Sequence, residues 1–268
     1  MSDMPTQPTP TQPTPTPPAL TQLAPAGGEP LIRVRQLKAG YNDVEVVHEI
    51  DLEVHAGEVV ALLGPNGAGK TTTLSTIAGL LPRLGGECTI LGEPQPLTGK
   101  RRVVATALAL RARGLAYVPE DRALFFGLTG RQHLKLAAAR GDQSAIDAAV
   151  APFAALRAIL DRKAGLMSGG EQQMLAVARA LAARPKVIMI DELSLGLAPI
   201  VVEQLLPLMR EVCRDQGVGV LLVEQHVNAA LNTADRAYVM VRGAISIAAP
   251  AADLLRDSTA LSDAYLGG

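Results

Sequence analysis

The sequence predicts an α/β fold with a mixed, mainly parallel sheet, an antiparallel β subdomain and a helical subdomain. Three observations predict it. Residues 59–63, 115–118, 187–190 and 218–223 are short, dense apolar runs suited to strands covered on both faces. Helical patterns at 70–81, 170–183 and 200–215 lie between them. Gly64-Pro65-Asn66-Gly67-Ala68-Gly69-Lys70-Thr71 falls where the first of these strands must turn into a helix.

Along the chain, residues 1–30 differ from everything after them. Pro5, Pro8, Pro10, Pro13, Pro15, Pro17 and Pro18 are interleaved with Thr and Gln, without the apolar groups needed to offset ordering entropy. A disordered, partly polyproline-like tail is expected, either passive or a ligand for a Pro-binding partner. Neither a basic start nor an apolar middle marks it as a signal peptide. The folded domain is expected over 31–268, beginning with alternating segments at 31–34 and 47–54 that read as half-exposed antiparallel strands.

The loop at 64–71 fits G-x-x-x-x-G-K-[ST], a phosphate-binding (P-loop) pattern. Glycines let successive N–H groups close around a phosphate, and the helix starting near Lys70 adds the positive end of its dipole. Lys70 is expected to reach the β- and γ-phosphates of ATP, and the Thr71 hydroxyl to sit on Mg²⁺. Thr72 completes the candidate nucleotide-binding set. Alone, this loop suits a kinase, a GTPase or many ATPases.

The 128–175 segment reads as helix-rich, and Ser168-Gly169-Gly170 makes a good N-cap followed by two glycines that let backbone amides approach an anion. The run 187–190 then ends on Asp191-Glu192, which places both carboxylates at a strand's C-terminal edge beside the phosphates. Asp191 is expected to hold Mg²⁺, directly or through water, and Glu192 to orient and deprotonate the attacking water. The pair could instead cap the following segment.

Composition fits a cytoplasmic enzyme of modest size: 268 residues can hold one α/β domain with a small appended subdomain. A net charge of −1 gives no electrostatic case for nucleic acid, and Lys100-Arg101-Arg102 reads as solvated surface. No apolar stretch reaches the ~18–20 residues of a membrane span, so transport would need separate membrane subunits. Cys88 and Cys213 lack metal-ligand spacing and read as reduced, structural residues. No internal repeat is visible.

Met167-Ser168-Gly169-Gly170-Glu171-Gln172-Gln173, with Met174, Leu175, Val177, Ala178 and Leu181 on a helical face, resembles the signature sequence of ABC-type ATPases. Its place after the phosphate loop and ahead of Asp191-Glu192 matches the family's order. The resemblance implies a dimer in which Ser168, Gly169, Gly170 and Glu171 of one subunit close on the γ-phosphate held by the other. It makes 128–175 the helical subdomain and gives Tyr41 the place of an aromatic that stacks on adenine; surface packing is the other reading of that tyrosine. Counting to Leu128-Thr129 puts Glu120 where the family has a glutamine facing Mg²⁺ and the water. Arg122 would offset the added negative charge or sit in solvent. Counting back from Ala234-Asp235-Arg236 puts Gln225 at the switch-histidine position, with His226 one residue beyond as the other candidate.

Val118-Pro119-Glu120, Glu171-Gln172-Gln173-Met174-Leu175, Ser194-Leu195-Gly196-Leu197-Ala198-Pro199, Val223-Glu224-Gln225 and the ending Ala264-Tyr265-Leu266-Gly267 narrow the resemblance. They are similar to the second ATPase of branched-chain amino-acid uptake systems and to related urea and amide importers. Four features depart from that branch: Leu193 where proline usually follows the glutamate, Met167 for leucine, Asp121 for glycine, and Gly130-Arg131-Gln132-His133 for a more acidic helix start. Phe125 and Phe126 lie beside the last of these and could line a groove for a membrane subunit's helix or pack between subdomains.

The resemblance therefore implies an energy-coupling ATPase of an uptake transporter, using ATP and Mg²⁺ on the inner face of the cell membrane. Its partners would be integral-membrane permease subunits, a second homologous ATPase or its own copy, and a solute-binding protein. A nucleotide-responsive regulatory module with slow or no hydrolysis is the alternative, and a lipid or glycan exporter a third reading.

Overall fold

The computed structural model describes residues 28–42, 44–97, 103–256 and 261. The proline-rich segment up to residue 27, the basic triplet Lys100-Arg101-Arg102 and the ending at 264–267 lie outside them.

β1 (Ile32–Tyr41) and β2 (Val44–Val54) form an antiparallel pair whose alternate residues Ile32, Val34, Val47, Leu52 and Val54 are buried. β3 (Val59–Leu63) runs into the phosphate loop and α1 (Lys70–Ile77). β4 (Arg83–Ile90) and β5 (Glu93–Pro94) complete an antiparallel sheet in the order β2-β1-β4-β5. α2 (Val103–Arg113) leads to β6 (Leu115–Val118), and a helical block follows: α3 (Gly130–Ala137), α4 (Gln143–Val150), α5 (Ala154–Arg157) and α6 (Gly169–Ala182). The chain then returns through β7 (Val187–Asp191), α7 (Pro199–Gln216), β8 (Gly219–Glu224) and α8 (Val227–Thr233). It closes with β9 (Arg236–Val241), β10 (Ala244–Pro250) and α9 (Ala251–Arg256).

The larger sheet has the order β10-β9-β3-β8-β7-β6, parallel except for β10. The dense apolar runs are explained by its two covered faces. Val187, Met189, Leu221 and Val223 pack into the core shared with the antiparallel sheet, while Ile188, Ile190, Val220 and Leu222 pack beneath α6 and α7. β3 comes first in the chain yet lies between β8 and β9, so the chain's order reverses there. Such a switch point gathers the loops after neighbouring strands around one crevice.

Several elements escape a reading by periodicity. α1 stops at Ile77 rather than 81 because Gly79, at φ 71°, reverses the chain and Leu80 and Leu81 donate back to the Ser75 carbonyl. β4 contains Gly85-Gly86, which dilutes its alternation. α2 leaves Val104 and Leu108 exposed and so lacks a one-sided apolar stripe. Ala234-Asp235-Arg236 opens β9 and anchors it to β3, since Asp235 Oδ2 accepts the Val59 N–H at 2.9 Å and Arg236 forms a buried ion pair with Glu58. Among the described residues no helix is long and apolar enough to cross a membrane.

Candidate nucleotide-binding and hydrolysis site

β3, β7 and β8 end side by side, with Leu63 opposite Glu224 and Asp191 opposite Val223, so the loops that follow them share one edge. After β3 the backbone must turn into α1 within a few residues. Gly64, at φ 151°, packs so tightly that an added Cβ would fall on the Met240 carbonyl oxygen. Gly69, at φ 105°, is the helix N-cap and supplies no capping side chain. The orphan amides of the first turn of α1 therefore stay available to an anion.

Lys70 is buried, and its Nζ donates to the Gly64 carbonyl at 2.8 Å and the Pro65 carbonyl at 3.0 Å. Burial pushes its pKa down, and the charges of Glu192 and Asp191 oppose that shift. Across from it lies a cavity of about 390 Å³. Asn66, Gly67, Gly69, Lys70, Thr71 and Thr72 line one side, and Glu120, Glu192 and Gln225 the other. Gly64 and Pro65 meet the site through the carbonyls held by Lys70, and Ala68 is buried in the loop, donating its N–H to the Pro65 carbonyl at 3.2 Å. Tyr41, half exposed at the end of β1, receives a hydrogen bond from the Thr72 hydroxyl at 3.5 Å and so stands beside the loop.

Asp191 is fully buried. Its Oδ2 accepts the Tyr117 hydroxyl at 3.3 Å, Thr71 lines the same cleft, and Oδ1 has no partner. Burial raises its pKa, the charges of Glu192 and Glu120 add to the rise, and the Thr71 and Tyr117 hydroxyls oppose it. Magnesium takes oxygen ligands and keeps several waters, so one carboxylate and one hydroxyl beside phosphates form a sufficient protein share. An unpaired, buried Asp191 oxygen beside Thr71, with exposed Glu120 lining the same cleft, fits that requirement. Among the described residues no group of three or more His, Cys, Asp or Glu forms a metal cage.

Glu192 takes a left-handed backbone, φ 52°, and its N–H bonds the Val223 carbonyl at 3.0 Å. Gln225 Nε2 donates to Glu192 Oε1 at 2.6 Å. Gln225, expected at the switch position as a donor to the γ-phosphate, is directed in this structure at the Glu192 carboxylate. His226 is exposed, begins α8 as its N-cap and does not line the cavity.

Ser168 caps α6 as expected: it accepts the Glu171 N–H at 3.3 Å, and the Glu171 carboxylate accepts the Ser168 N–H at 2.7 Å. Glu171 also pairs with Arg162 at 3.3 Å, so its carboxylate is engaged within its own subunit. Ser168, Gly169, Gly170 and Glu171 line neither the cavity nor the adjoining cleft. Within one chain the signature residues and the phosphate loop are not brought together.

Arg122 does not sit free in solvent; it lines the cleft shared with Glu120 and Asp191. It donates to Gln173 Oε1 at 2.8 Å, Gln172 Oε1 at 3.2 Å and the Leu195 carbonyl at 3.3 Å, while Arg179 holds the carbonyls of Arg122 and Ala123. It therefore ties the loop after β6 to the signature helix. Asp121 acts in the same turn: its Oδ1 accepts the Ala123 N–H at 3.0 Å, an Asx turn that supports positive φ at Arg122 and Ala123. Leu193 and Met167 are both buried in the core under α6, so these departures serve packing. Phe125 and Phe126 are 64% and 63% exposed, which rules out packing between subdomains as their role.

Two contributors were missed by sequence reading. Tyr117 sits in the β6 run but reaches Asp191, and Glu224 accepts both the N–H (3.0 Å) and the hydroxyl of Ser194, pinning the segment after Glu192 to the strand before Gln225. Burial raises the Glu224 pKa, and its bonds to Ser194 oppose this. The one local signal was the density of polar residues at the ends of apolar runs.

Comparison with known proteins agrees with this geometry. Residues 47–194 match the ABC transporter family. The chain is 39% identical over 238 residues, 85% of its length, to the high-affinity branched-chain amino acid transport ATP-binding protein BraG of Pseudomonas aeruginosa, covering 96% of that protein. It is 32% identical over 246 residues to the lipopolysaccharide export system ATP-binding protein LptB of Escherichia coli, covering 88% of this chain and 97% of that one. A solved ATP-binding subunit of an ABC transporter superposes with a TM-score of 0.73 at 28% identity, covering 88% of this chain and 98% of that one. The phosphate loop, the capped signature helix and the Asp191-Glu192 strand end thus belong to one design, and the chain is an ATPase of the ABC transporter family.

Proposed function

We propose that this chain powers an ABC importer of branched-chain amino acids or related small polar solutes, bound through permease subunits to the inner face of the cell membrane. Two such subunits, identical or homologous, would sandwich two nucleotides, since one chain keeps its signature residues away from its own phosphate loop. The similarity to BraG supports the importer reading, and a solute-binding protein would then deliver the cargo.

Binding would start with phosphate taking the α1 amides and drawing the Lys70 ammonium from the Gly64 and Pro65 carbonyls. Tyr41 would stack on adenine. Thr71 and Asp191, with Glu120 at the edge, would hold Mg²⁺, which when bound supplies charge neutralisation at the phosphates. Glu192 would accept the proton of the attacking water, oriented by Gln225. The Gln225–Glu192 hydrogen bond on the wall of the Lys70 cavity carries the hydrolytic reading. Ser168, Gly169, Gly170 and the backbone at Glu171 would complete the partner's site.

An apolar groove of about 330 Å³ between α2, α3 and the strand edge is lined by Leu80, Ala107, Phe125 and Leu136. It suits a helix of the permease. The 32% identity to LptB keeps an exporter as the second reading. Gentle extraction of the C-terminally tagged chain from native membranes, followed by mass spectrometry, separates them. Two multi-span permeases with a second ATPase and a solute-binding protein are expected; permeases with an envelope-bridging assembly indicate export, and soluble partners alone overturn transport.

A further inference from the structure

We propose that Tyr117 is a positioning residue for Asp191, holding one carboxylate oxygen so that the other is presented to a divalent cation. The proposal rests on the reading of Asp191 as a cation ligand.

β6 and β7 pair in parallel with Tyr117 opposite Met189, so Tyr117 lies two residues short of Asp191 on the neighbouring strand. A tyrosine spans that offset and places its hydroxyl 3.3 Å from Asp191 Oδ2. Thr71 and Ser75, one turn apart on α1, line the same cleft as Tyr117 and Asp191, so the phosphate-loop helix faces this pair. Oδ1 is left as the buried, unpartnered atom.

A fully buried carboxylate without a firm partner could rotate about its terminal torsion, which is broad and roughly two-fold. The Tyr117 donor on Oδ2 removes that freedom. A phenol hydroxyl is a donor, and toward a carboxylate, which only accepts, it donates. The ring cannot swing away easily: together with Leu80 it lines both the cleft beside Asp191 and the apolar groove, and it packs on the core between the sheets.

The test uses the full chain carrying Glu192→Gln to stop turnover, and follows binding of a fluorescent ATP analogue while MgCl₂ is titrated. With Tyr117→Phe the Mg²⁺ needed for half-maximal binding should rise about ten-fold, as expected for one lost hydrogen bond to a charged group, while binding in EDTA stays unchanged. An unchanged or lower Mg²⁺ requirement with Tyr117→Phe overturns the positioning role. Asp191→Asn distinguishes the two levels: if it abolishes the Mg²⁺ dependence while Tyr117→Phe leaves it intact, only the Tyr117 role falls. If Asp191→Asn leaves the dependence intact, the ligand reading falls and the proposal with it.

Discussion

Gln225 and Glu192 show how a polar pair can be built from two strand ends. Glu192 follows β7 in a left-handed turn and Gln225 follows β8, and their side chains meet at 2.6 Å. The amide donates without titrating near neutrality, whereas a histidine there would gain or lose a proton. Gln225→Ala should therefore lower kcat about ten- to a hundred-fold, the range for one hydrogen bond to a charged group, with ATP binding retained. His226→Ala should stay within about two-fold, because an exposed residue that touches no reacting group contributes little. Steady-state ATPase assays of both variants decide it, and a dead His226 variant beside an active Gln225 variant reverses the assignment. Identity and spacing made Asp191, Glu192 and Lys70 readable in the sequence. The choice between Gln225 and His226 was not, since adjacent residues after a strand diverge in direction only when the turn is known.

At the scale of an element, the start of α3 is where the chain leaves its branch pattern and where the fold supplies the reason. Thr129 and Gln132 form a reciprocal capping box, so no acidic residue is needed in the first turn. His133 is buried; its Nδ1–H donates to the Thr129 carbonyl at 2.9 Å, its Nε2 accepts the Phe125 N–H at 3.0 Å, and its ring stacks on Phe125. Burial lowers its pKa, and the facing Arg179 charge lowers it further, against the bond to Thr129. The neutral ring is thus the native form: its contribution is present above the ordinary value near 6.5 and is lost as pH falls through the lowered one. As pH falls below the ordinary value near 6.5 the wild type should lose more stability than His133→Ala, a difference readable by urea melts at each pH. Equal losses would mean that His133 plays no part. The α6 cap was legible because Ser and Glu three residues apart form a local pattern; His133 was not, because its partner Phe125 lies in the loop ahead of the helix.

Across the whole molecule, β3 at the centre of the larger sheet sets the site's place, and the groove between α2 and α3 opens on the opposite side of Tyr117. Phe125 and Leu136, each more than 60% exposed, give that groove an apolar rim that water does not favour. If the proposed permease docks in this groove, Phe125→Asp with Leu136→Asp should abolish its recovery from membranes while ATP binding by the isolated chain changes less than about two-fold, since neither residue lines the nucleotide cavity. Co-purification and a nucleotide-binding titration check the two halves; permease recovery at the wild-type level removes the groove from the interface.

What this sequence determined by itself is local in origin. The glycine loop, the N-cap of α6, the strands covered on both faces and the paired acids at a strand end all follow from neighbours in the chain, whose backbone preferences and apolar spacing act over a few residues. Only the tertiary structure decided that Gln225 meets Glu192, that Arg122 clasps Gln172 and Gln173, that Tyr117 holds Asp191, and that Leu193 and Met167 belong to the core. Each of those joins residues from different elements. Their geometry depends on strand order and register, which parallel crossovers establish over long stretches of chain and no local pattern encodes.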